Sequence, residues 1–318
     1  MDHASITVVI STRNRGDKIV KTIQSILEND FPHFEVVIVD QSENDWTEIS
    51  LKPFLCNPGV RYIRTKTKGV SVGRDIGIVH SNHEYIAITD DDCETPRNWL
   101  REMMNAFSLE SKIGIVFGNV HPGPHDCTKG FIPVYLRNQP FLARSIHEKN
   151  RVNGLGACMG LRRSVYKKIN GFDKMLGNGG AFRSAEETDL TIRCLLANYF
   201  VYETPNVMVI HHGFRDREDG VTLICNYSYG TGAMFAKHLK CGHWSVVQFL
   251  FQLARRWIYG RSKMPDGCVI SSSFESRPLR WLRLSAFIKG IRTGLLSHSD
   301  RNIGCYTYKP ESCVKTMD

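Results

Sequence analysis

The sequence lacks several signatures that would assign it to a class directly. Its ten cysteines include no Cys-x-x-Cys pair, which argues against a zinc site or a thioredoxin-like redox motif. The longest apolar-rich stretch, residues 246–259, contains glutamines and arginines and is too short to span a bilayer. The first residues lack the basic and apolar regions of a secretory signal. These absences favour a reduced, cytoplasmic, globular protein.

Common nucleotide-binding motifs are missing as well. No Gly-x-Gly-x-x-Gly follows the first predicted strand, and there is no Walker lysine motif. A dinucleotide dehydrogenase and a P-loop enzyme are therefore disfavoured. The formal net charge is +9, but no nucleic-acid-binding motif accompanies it, so we expect no nucleic-acid partner. Most of the excess is near the end of the chain, since residues 251–318 carry 12 Lys and Arg against 5 Asp and Glu.

The first half of the chain alternates apolar strands with segments whose apolar residues have helical spacing. This alternation predicts an α/β fold with a Rossmann-like, mostly parallel sheet. Because the strands are almost continuously apolar, helices are expected on both faces. The predicted strands cover residues 5–11, 34–40, 60–64, 85–89, 113–119, 154–163, 200–204 and 207–210.

Three adjacent carboxylates, Asp90, Asp91 and Asp92, follow the predicted strand at residues 85–89. They repel one another and are costly to hold together without a cation. At the end of a parallel strand they lie where open α/β sheets bind ligands. Oxygen ligands suit Mn²⁺ or Mg²⁺, which can in turn bridge a diphosphate. The alternative is a solvated acidic turn before the helix that starts near Pro96.

Several segments together match one family in order and spacing. The chain resembles a family 2 glycosyltransferase, an inverting enzyme of the GT-A fold, over roughly residues 5–240. Each motif alone is weak, and the ordered set carries the resemblance. The matching segments are SITVVISTRNR, FEVVIVDQS, KGVSVGRDIGI, YIAITDDD, GFDKMLGNGG, SAEETDL and VIHHG.

The resemblance implies a nucleotide-sugar site at the carboxyl edge of the sheet. Thr12, Asn14 and Asp40 match positions that hold the base and ribose, and Arg74 matches an arginine near the nucleotide. Family members often have two acidic residues where this chain has Asp40 and Gln41, so the base is left open. A UDP-sugar is the expected donor, with a GDP- or dTDP-sugar as alternatives.

The resemblance also implies a divalent cation, Mn²⁺ or Mg²⁺, at the acidic triplet. The triplet matches the family's D-x-D element, so Asp90 and Asp91 are expected to contact the donor. Asp92 is the expected direct metal ligand, with Asp90 beside it. Of the pair His211-His212, we expect His212 to complete the metal shell. A buried structural histidine is the alternative for either one.

Glu187 matches the family's general base, although the usual pair is Glu-Asp where this chain has Glu186-Glu187. A structural alternative exists, because Ser184-x-x-Glu187 is a capping box at a helix start. The resemblance thus implies transfer of a sugar from a nucleotide-sugar to a hydroxyl acceptor in polysaccharide or glycolipid biosynthesis. The alternative is a catalytically inactive nucleotide-sugar- or carbohydrate-binding protein of the same fold.

The expected domain organisation has two parts. Residues 1–220 form the GT-A catalytic domain, with a nucleotide-sugar half at 1–119 and an acceptor half at 120–220. Residues 221–318 form a basic extension that is predicted to be wholly helical.

Within this extension an amphipathic pattern indicates an interfacial helix. We expect peripheral contact with an anionic membrane surface at the inner face of the cell membrane, and a saccharide or lipid-linked sugar as acceptor. The alternative is that the apolar stripe packs back on the catalytic domain. The stripe consists of Leu284, Phe287, Ile288, Ile291 and Leu295.

Overall fold

The computed structural model describes residues 5–252 and 277–308 of the chain. The strands are β1 (Ile6–Thr12), β2 (Phe34–Asp40), β3 (Val60–Arg64), β4 (Tyr85–Ile88), β5 (Cys93–Glu94), β6 (Ile113–Pro122), β7 (Gly130–Phe131), β8 (Phe141–Ala143), β9 (Met159–Arg162), β10 (Phe200–His211), β11 (Arg215–Asp216), β12 (Ser299–Asp300) and β13 (Cys305–Tyr306). The helices are α1 (Val20–Leu27), α2 (Trp46–Leu51), α3 (Val70–Val79), α4 (Trp99–Ser108), α5 (Arg163–Lys168), α6 (Glu186–Leu196), α7 (Arg217–Lys240) and α8 (Arg277–Leu296).

A nine-stranded sheet forms the centre of the molecule. Its order is β3-β2-β1-β4-β9-β6-β10-β5, with β8 paired to β10. Strands β1 to β4 pair in parallel, as do β6 and β10. Strand β9 lies antiparallel between β4 and β6, which makes the sheet mixed. Strand β9 is also shorter than the predicted strand at 154–163, because residues 156–158 form a 3-10 turn. The prediction of a mostly parallel α/β sheet is confirmed.

Helices cover both faces of the sheet, as predicted. Side chains alternate along each strand, so Val8 and Val9 of β1 point to opposite faces. Val8 belongs to the core cluster that contains residues of α1, α2 and α4. Val9 belongs to the cluster that contains residues of α3, α5 and α6. Helix α3 lies close to β1, since a Cβ on Gly73 would be 2.7 Å from the Cβ of Ser11.

The C-terminal helices α7 and α8 form a third core with residues of the sheet-containing part of the chain. This core includes Phe182 and Ile192 together with Phe235 and Phe287 from the two helices. The prediction of a wholly helical region is wrong in one respect, since β12 and β13 pair as a short hairpin after α8. The backbone amide of Tyr306 donates a hydrogen bond to the side-chain carboxylate of Asp173 at 2.8 Å, which ties that hairpin to the core. No helix within residues 5–252 and 277–308 has the length and apolar character needed to cross a bilayer.

The predicted apolar stripe on α8 is divided between two environments. Phe287 is buried and Ile291 packs against the same core as α7. Ile288 and Leu295 are 56% and 50% exposed. The alternative, that the stripe packs back on the rest of the protein, therefore holds for one side of the helix, and another side of the helix faces outward.

A fully buried ionic cluster joins α7 to α6 and the segment before it. The Nζ atom of Lys237 lies 2.8 Å from Asp173 Oδ2 and also contacts Asp189 of α6. Burial disfavours the charged form of Asp189, yet Arg193 and Lys237 outweigh burial and lower its pKa well below the usual value. Removing one partner from such a cluster leaves an uncompensated buried charge, so the cluster holds α7 against α6.

Candidate active site

The ends of four strands bring most of the predicted residues to one place. Thr12 and Asp40 are paired at the carboxyl ends of β1 and β2. The acidic triplet follows β4, which is the other neighbour of β1. Strand β10 ends at His211, opposite Cys93 in β5. The carboxyl edge of the sheet is thus the site, as open α/β sheets generally provide.

Arg74 is at the centre of the site. Its guanidinium is almost completely buried and lies 2.9 Å from Asp90 Oδ1. It also lies 3.5 Å from Glu186 Oε1 and 3.4 Å from Glu187 Oε1. Burial opposes its charge, but these three carboxylates outweigh burial and raise the pKa of Arg74. The buried guanidinium of Arg74 therefore connects the acidic triplet after β4 with the first turn of α6.

The two glutamates at the start of α6 differ in environment. Burial, followed by repulsion from Glu187, raises the pKa of Glu186 well above its usual value and favours its neutral form. The Glu187 side chain is more exposed, at 21% against 8% for Glu186. Glu187 Oε1 accepts a hydrogen bond from the amide of Gly156 at 3.1 Å. Glu187 is thus fixed in position and still open toward the cleft.

The capping box considered for Glu187 does not form. The residue before α6 is Ala185, which has a left-handed backbone (φ 75°) and makes no capping hydrogen bond. The Ser184 hydroxyl instead donates to the carbonyl of Asn226 at 3.0 Å. The side chain of Glu187 faces Arg74 and Gly156, so the structural alternative is removed.

Asp92 lies between the side chains of Arg15 and His211. Its Oδ1 is 3.2 Å from His211 Nε2, and its Oδ2 accepts from Arg15 at 2.8 Å. Burial opposes its ionisation, but His211 and Arg15 outweigh burial and hold the pKa of Asp92 at about 2. Burial also opposes protonation of His211, yet Asp92 raises the pKa of that histidine above its usual value. In Asp91, by contrast, burial dominates and raises the pKa to about 6.

The structure places His211, and not His212, against the acidic triplet. His212 Nε2 lies 2.9 Å from Glu94 Oε1 in a partly exposed pair. Successive residues of a strand point in opposite directions, so only one of the two histidines can face Asp92. The structure therefore places His211, and not the predicted His212, beside Asp92, while the metal-binding role of either histidine stays a prediction.

The residues around Asp92 fit a divalent cation. Ligand atoms of Asp92, Cys93 and His211 lie within 4.8 Å of one another. Burial raises the pKa of the Cys93 thiol well above its usual value, so it stays protonated and leaves the carboxylate and imidazole as ligands. A Cβ on Gly213 would lie 2.5 Å from His211 Nε2, so glycine keeps that space open. Asp92 and His211 would hold the cation. Asp90, which was also predicted as a ligand, is paired with Arg74.

The nucleotide edge of the site is built from β1, β2 and β3. Asp40 is fully buried, and its oxygens accept from the Ser42 amide at 2.8 Å and the Tyr62 hydroxyl at 2.6 Å. The Asn14 amide donates to the Ser42 hydroxyl at 2.7 Å, which joins the ends of β1 and β2. Asp40 thus supports the loop that follows β2 rather than facing the cleft. A cavity of about 510 Å³ is lined by Gln41, Ser42, Glu43, Arg64, Thr65, Lys66 and Lys68.

Arg15 is the site residue that sequence reasoning missed. Its Nε atom lies 2.9 Å from Asp91 Oδ1, in addition to its contact with Asp92. The signal available in the sequence was its place in the segment after β1, three residues beyond Thr12. Nothing local to that segment indicates that its side chain reaches a triplet 76 or 77 residues away.

Comparison with known proteins adds a family match. The family model described as Glycosyl transferase family 2 matches residues 7–169. An uncharacterized glycosyltransferase of Rickettsia conorii is 24% identical over 199 residues, which cover 55% of this chain and 33% of the relative. The putative colanic acid biosynthesis glycosyl transferase WcaA of Escherichia coli is 22% identical over 65% of this chain and 73% of its own length. The chain spans about a third of the length of the rickettsial relatives it matches.

A solved structure has a similar fold. The mannosyltransferase PcManGT of Pyrobaculum calidifontis, in complex with GDP-Man and Mn²⁺, is similar with a TM-score of 0.58. The match covers 92% of this chain and 86% of that one at 17% identity. At that identity the likeness confirms the GT-A fold and no more.

Proposed function

This chain belongs to glycosyl transferase family 2, and we propose that it is an inverting enzyme that moves a sugar from a nucleotide-sugar donor to a hydroxyl acceptor. The observation that carries the proposal is the position of Arg74. It holds Asp90 of the triplet and Glu187 of α6 within 3.4 Å of one guanidinium. The proposed donor side and acceptor side of the reaction therefore meet around the buried guanidinium of Arg74.

Glu187 is proposed as the general base. It is the more exposed of the two glutamates at the start of α6, and the Gly156 amide orients its carboxylate. A base must lie within hydrogen-bond reach of the acceptor hydroxyl and accept its proton as the hydroxyl attacks. Attack from the side opposite the departing diphosphate inverts the anomeric centre. Arg74 would keep the Glu187 carboxylate in place during this step.

Asp92 and His211 are proposed to hold a divalent cation, Mn²⁺ or Mg²⁺. When bound, the cation would stabilise the charge that develops on the departing nucleoside diphosphate. Asp90 and Asp91 would complete the acidic edge of the donor site. The basic cavity at the ends of β2 and β3 is proposed for the nucleotide. Thr12 and Asn14 adjoin it, since they accept hydrogen bonds from the amides of the lining residues Gln41 and Glu43.

A screen of donors tests the proposal. A UDP-sugar is the expected ligand, with GDP- and dTDP-sugars as the alternatives, each with Mn²⁺ and with EDTA. A ligand at roughly 100 times its Kd stabilises the folded state by about 2.7 kcal/mol, which a thermal-shift assay detects. We expect one nucleotide sugar to raise the Tm only when Mn²⁺ is present.

The same preparation distinguishes catalysis from binding. With a saccharide or lipid-linked acceptor, NMR of the product should show the inverted anomeric configuration. Stabilisation by a nucleotide sugar without hydrolysis or transfer would favour the catalytically inactive binding protein. No stabilisation by any nucleotide sugar would contradict both forms of the proposal.

A second proposal concerns where the enzyme works. One face of α8 carries apolar residues that are each at least half exposed, together with the exposed Lys289 and Arg292. Residues 251–318 have a net charge of +7, from 12 basic and 5 acidic residues. This pattern suits peripheral contact with an anionic membrane surface and supports a lipid-linked acceptor. The exposed apolar residues are Trp281, Leu282, Ile288, Leu295 and Leu296.

Co-sedimentation with liposomes measures this contact. The protein should sediment with anionic vesicles at low salt, less so at high salt, and not with neutral vesicles, since each basic residue near the surface contributes about 1 kcal/mol. Trp281→Ser should reduce sedimentation. Trp46→Ser is the matched control, because Trp46 on α2 is 70% exposed and Trp281 is 72% exposed. Recovery in the supernatant with every vesicle would contradict the membrane proposal.

A further inference from the structure

The acidic triplet is divided between two arginines. Arg74 forms an ion pair with Asp90, whereas Arg15 contacts the other two carboxylates. The Nε atom of Arg15 lies 2.9 Å from Asp91 Oδ1, and its Nη2 atom lies 2.8 Å from Asp92 Oδ2. Two charge-assisted contacts from one planar guanidinium are stronger than two separate neutral hydrogen bonds. Arg15 is therefore a substantial counter-charge at the residue proposed to bind the cation.

The loop that carries Arg15 does not depend on this side chain for its shape. Asn14 and Gly16 on either side have positive φ angles of 55° and 58°. Their backbone amides donate to the hydroxyls of Ser42 at 2.7 Å and Thr47 at 3.1 Å. The Arg15 side chain itself is 31% exposed and faces the cleft edge. It could therefore leave the triplet without moving the loop.

Arg15 and a divalent cation need the same carboxylate. Asp92 Oδ1 faces His211 Nε2, and Asp92 Oδ2 is held by Arg15. A cation held by Asp92 and His211 would bind a carboxylate whose charge Arg15 already neutralises, and it would repel the Arg15 guanidinium. A diphosphate, in contrast, accepts a bidentate arginine well, because its oxygens match the planar fork.

We propose that Arg15 couples the binding of the cation to the binding of the nucleoside diphosphate. In this inference, which rests on the proposed function, Arg15 competes with the cation for Asp91 and Asp92 and moves to the diphosphate when the donor arrives. Cation alone then binds weakly, and cation and nucleotide strengthen each other. Such coupling is reciprocal, so each ligand raises the affinity of the other by the same factor.

Mn²⁺ binding measured by electron paramagnetic resonance tests this without any enzyme activity. In the full chain without nucleotide, Arg15→Gln should bind Mn²⁺ roughly tenfold more tightly than wild type, the size expected from losing a charged competitor. Adding UDP or GDP should strengthen Mn²⁺ binding strongly in wild type and weakly in Arg15→Gln. Arg15→Lys keeps the charge but cannot span both carboxylates, so it should lie between the two.

Arg13→Gln is the matched control. Arg13 lies two residues away in the same loop, is similarly exposed at 37%, and pairs with Glu43 at 2.7 Å instead of with the triplet. Its loss removes the same charge and should leave Mn²⁺ binding close to wild type. Mn²⁺ binding by Arg15→Gln that is no tighter than by Arg13→Gln would overturn the coupling while leaving the proposed function intact. No Mn²⁺ binding by wild type with either nucleotide would overturn both. Melting curves that match wild type establish that the variants are folded.

Discussion

Glu187→Gln is expected to lower the rate of sugar transfer by roughly two to four orders of magnitude, the usual cost of losing a general base. Gln keeps the size of the side chain and an oxygen that can accept from the Gly156 amide. It removes the group that accepts the acceptor proton. Donor affinity with Mn²⁺ should change little, because Glu187 is proposed to act on the acceptor and not on the donor. Steady-state rates and donor calorimetry measure the two effects separately.

Glu186→Gln is the matched control for that experiment. Glu186 precedes Glu187, contacts the same Arg74 nitrogen, and is held toward its neutral form by burial. A neutral amide therefore mimics its state, and we expect a rate within a few-fold of wild type. If Glu187→Gln transfers sugar as fast as Glu186→Gln, Glu187 is only a counter-ion of Arg74 and the base is another residue.

The position of Glu187 also illustrates what local sequence cannot determine. Ser184-x-x-Glu187 has the form of a capping box, and nothing in the segment itself argues against one. The structure instead has Ser184 bonded to Asn226, and Glu187 bonded to Gly156. Both partners are more than 30 residues away in the chain, so tertiary contacts decide which local pattern forms.

The same distinction applies to the fold. The parallel half, β1 to β4, follows from apolar runs separated by helical spacing, and the structure has it as predicted. The placement of β9 between β4 and β6 could not be predicted, because an apolar run does not specify its direction or its neighbours. The hairpin β12–β13 was missed for another reason. Each strand is only two residues long, below the length at which alternation is visible.

Strand register explains which histidine of the pair lies beside Asp92. From sequence, His211 and His212 are equivalent candidates after an apolar run. In the structure His211 pairs with Cys93 across β5 and β10, which brings its ring to the adjacent Asp92. His212, one residue on, turns to Glu94. A shift of one residue reverses the side that a residue faces, so the histidine beside Asp92 can be identified only when the register is known.

The C-terminal helices are closely connected to the helix that carries the candidate base. Asp189 lies two residues after Glu187 on α6 and contacts Lys237 and His238 of α7 in the buried cluster. The predicted boundary at residue 220 lies within α7, which begins at Arg217. The two-part division remains a prediction, and the contacts described suggest that the C-terminal helices help to hold the helix that carries the proposed base.

Asp92→Asn is expected to abolish cation-dependent nucleotide binding. Asn preserves the shape of the side chain but removes the charge that lies between His211 and Arg15. Substitution of a residue that only orients a metal ligand costs about 10- to 100-fold in metal affinity. Loss of the ligand itself should therefore cost roughly 100-fold or more. Calorimetry of UDP and GDP binding, with Mn²⁺ and with EDTA, measures the effect.

Glu94→Gln is the matched control for Asp92→Asn. Glu94 is two residues further along the chain, carries the same charge, and pairs with the histidine that the sequence had favoured. If His211 is the partner of Asp92 in cation binding, Glu94→Gln and His212→Ala should bind nucleotide as wild type does, and His211→Ala should not. Loss of binding in His212→Ala with retention in His211→Ala would restore the original choice. Equal nucleotide affinity in Mn²⁺ and in EDTA for wild type would mean that the donor site works without a cation and that Arg15 and Arg74 alone neutralise the triplet.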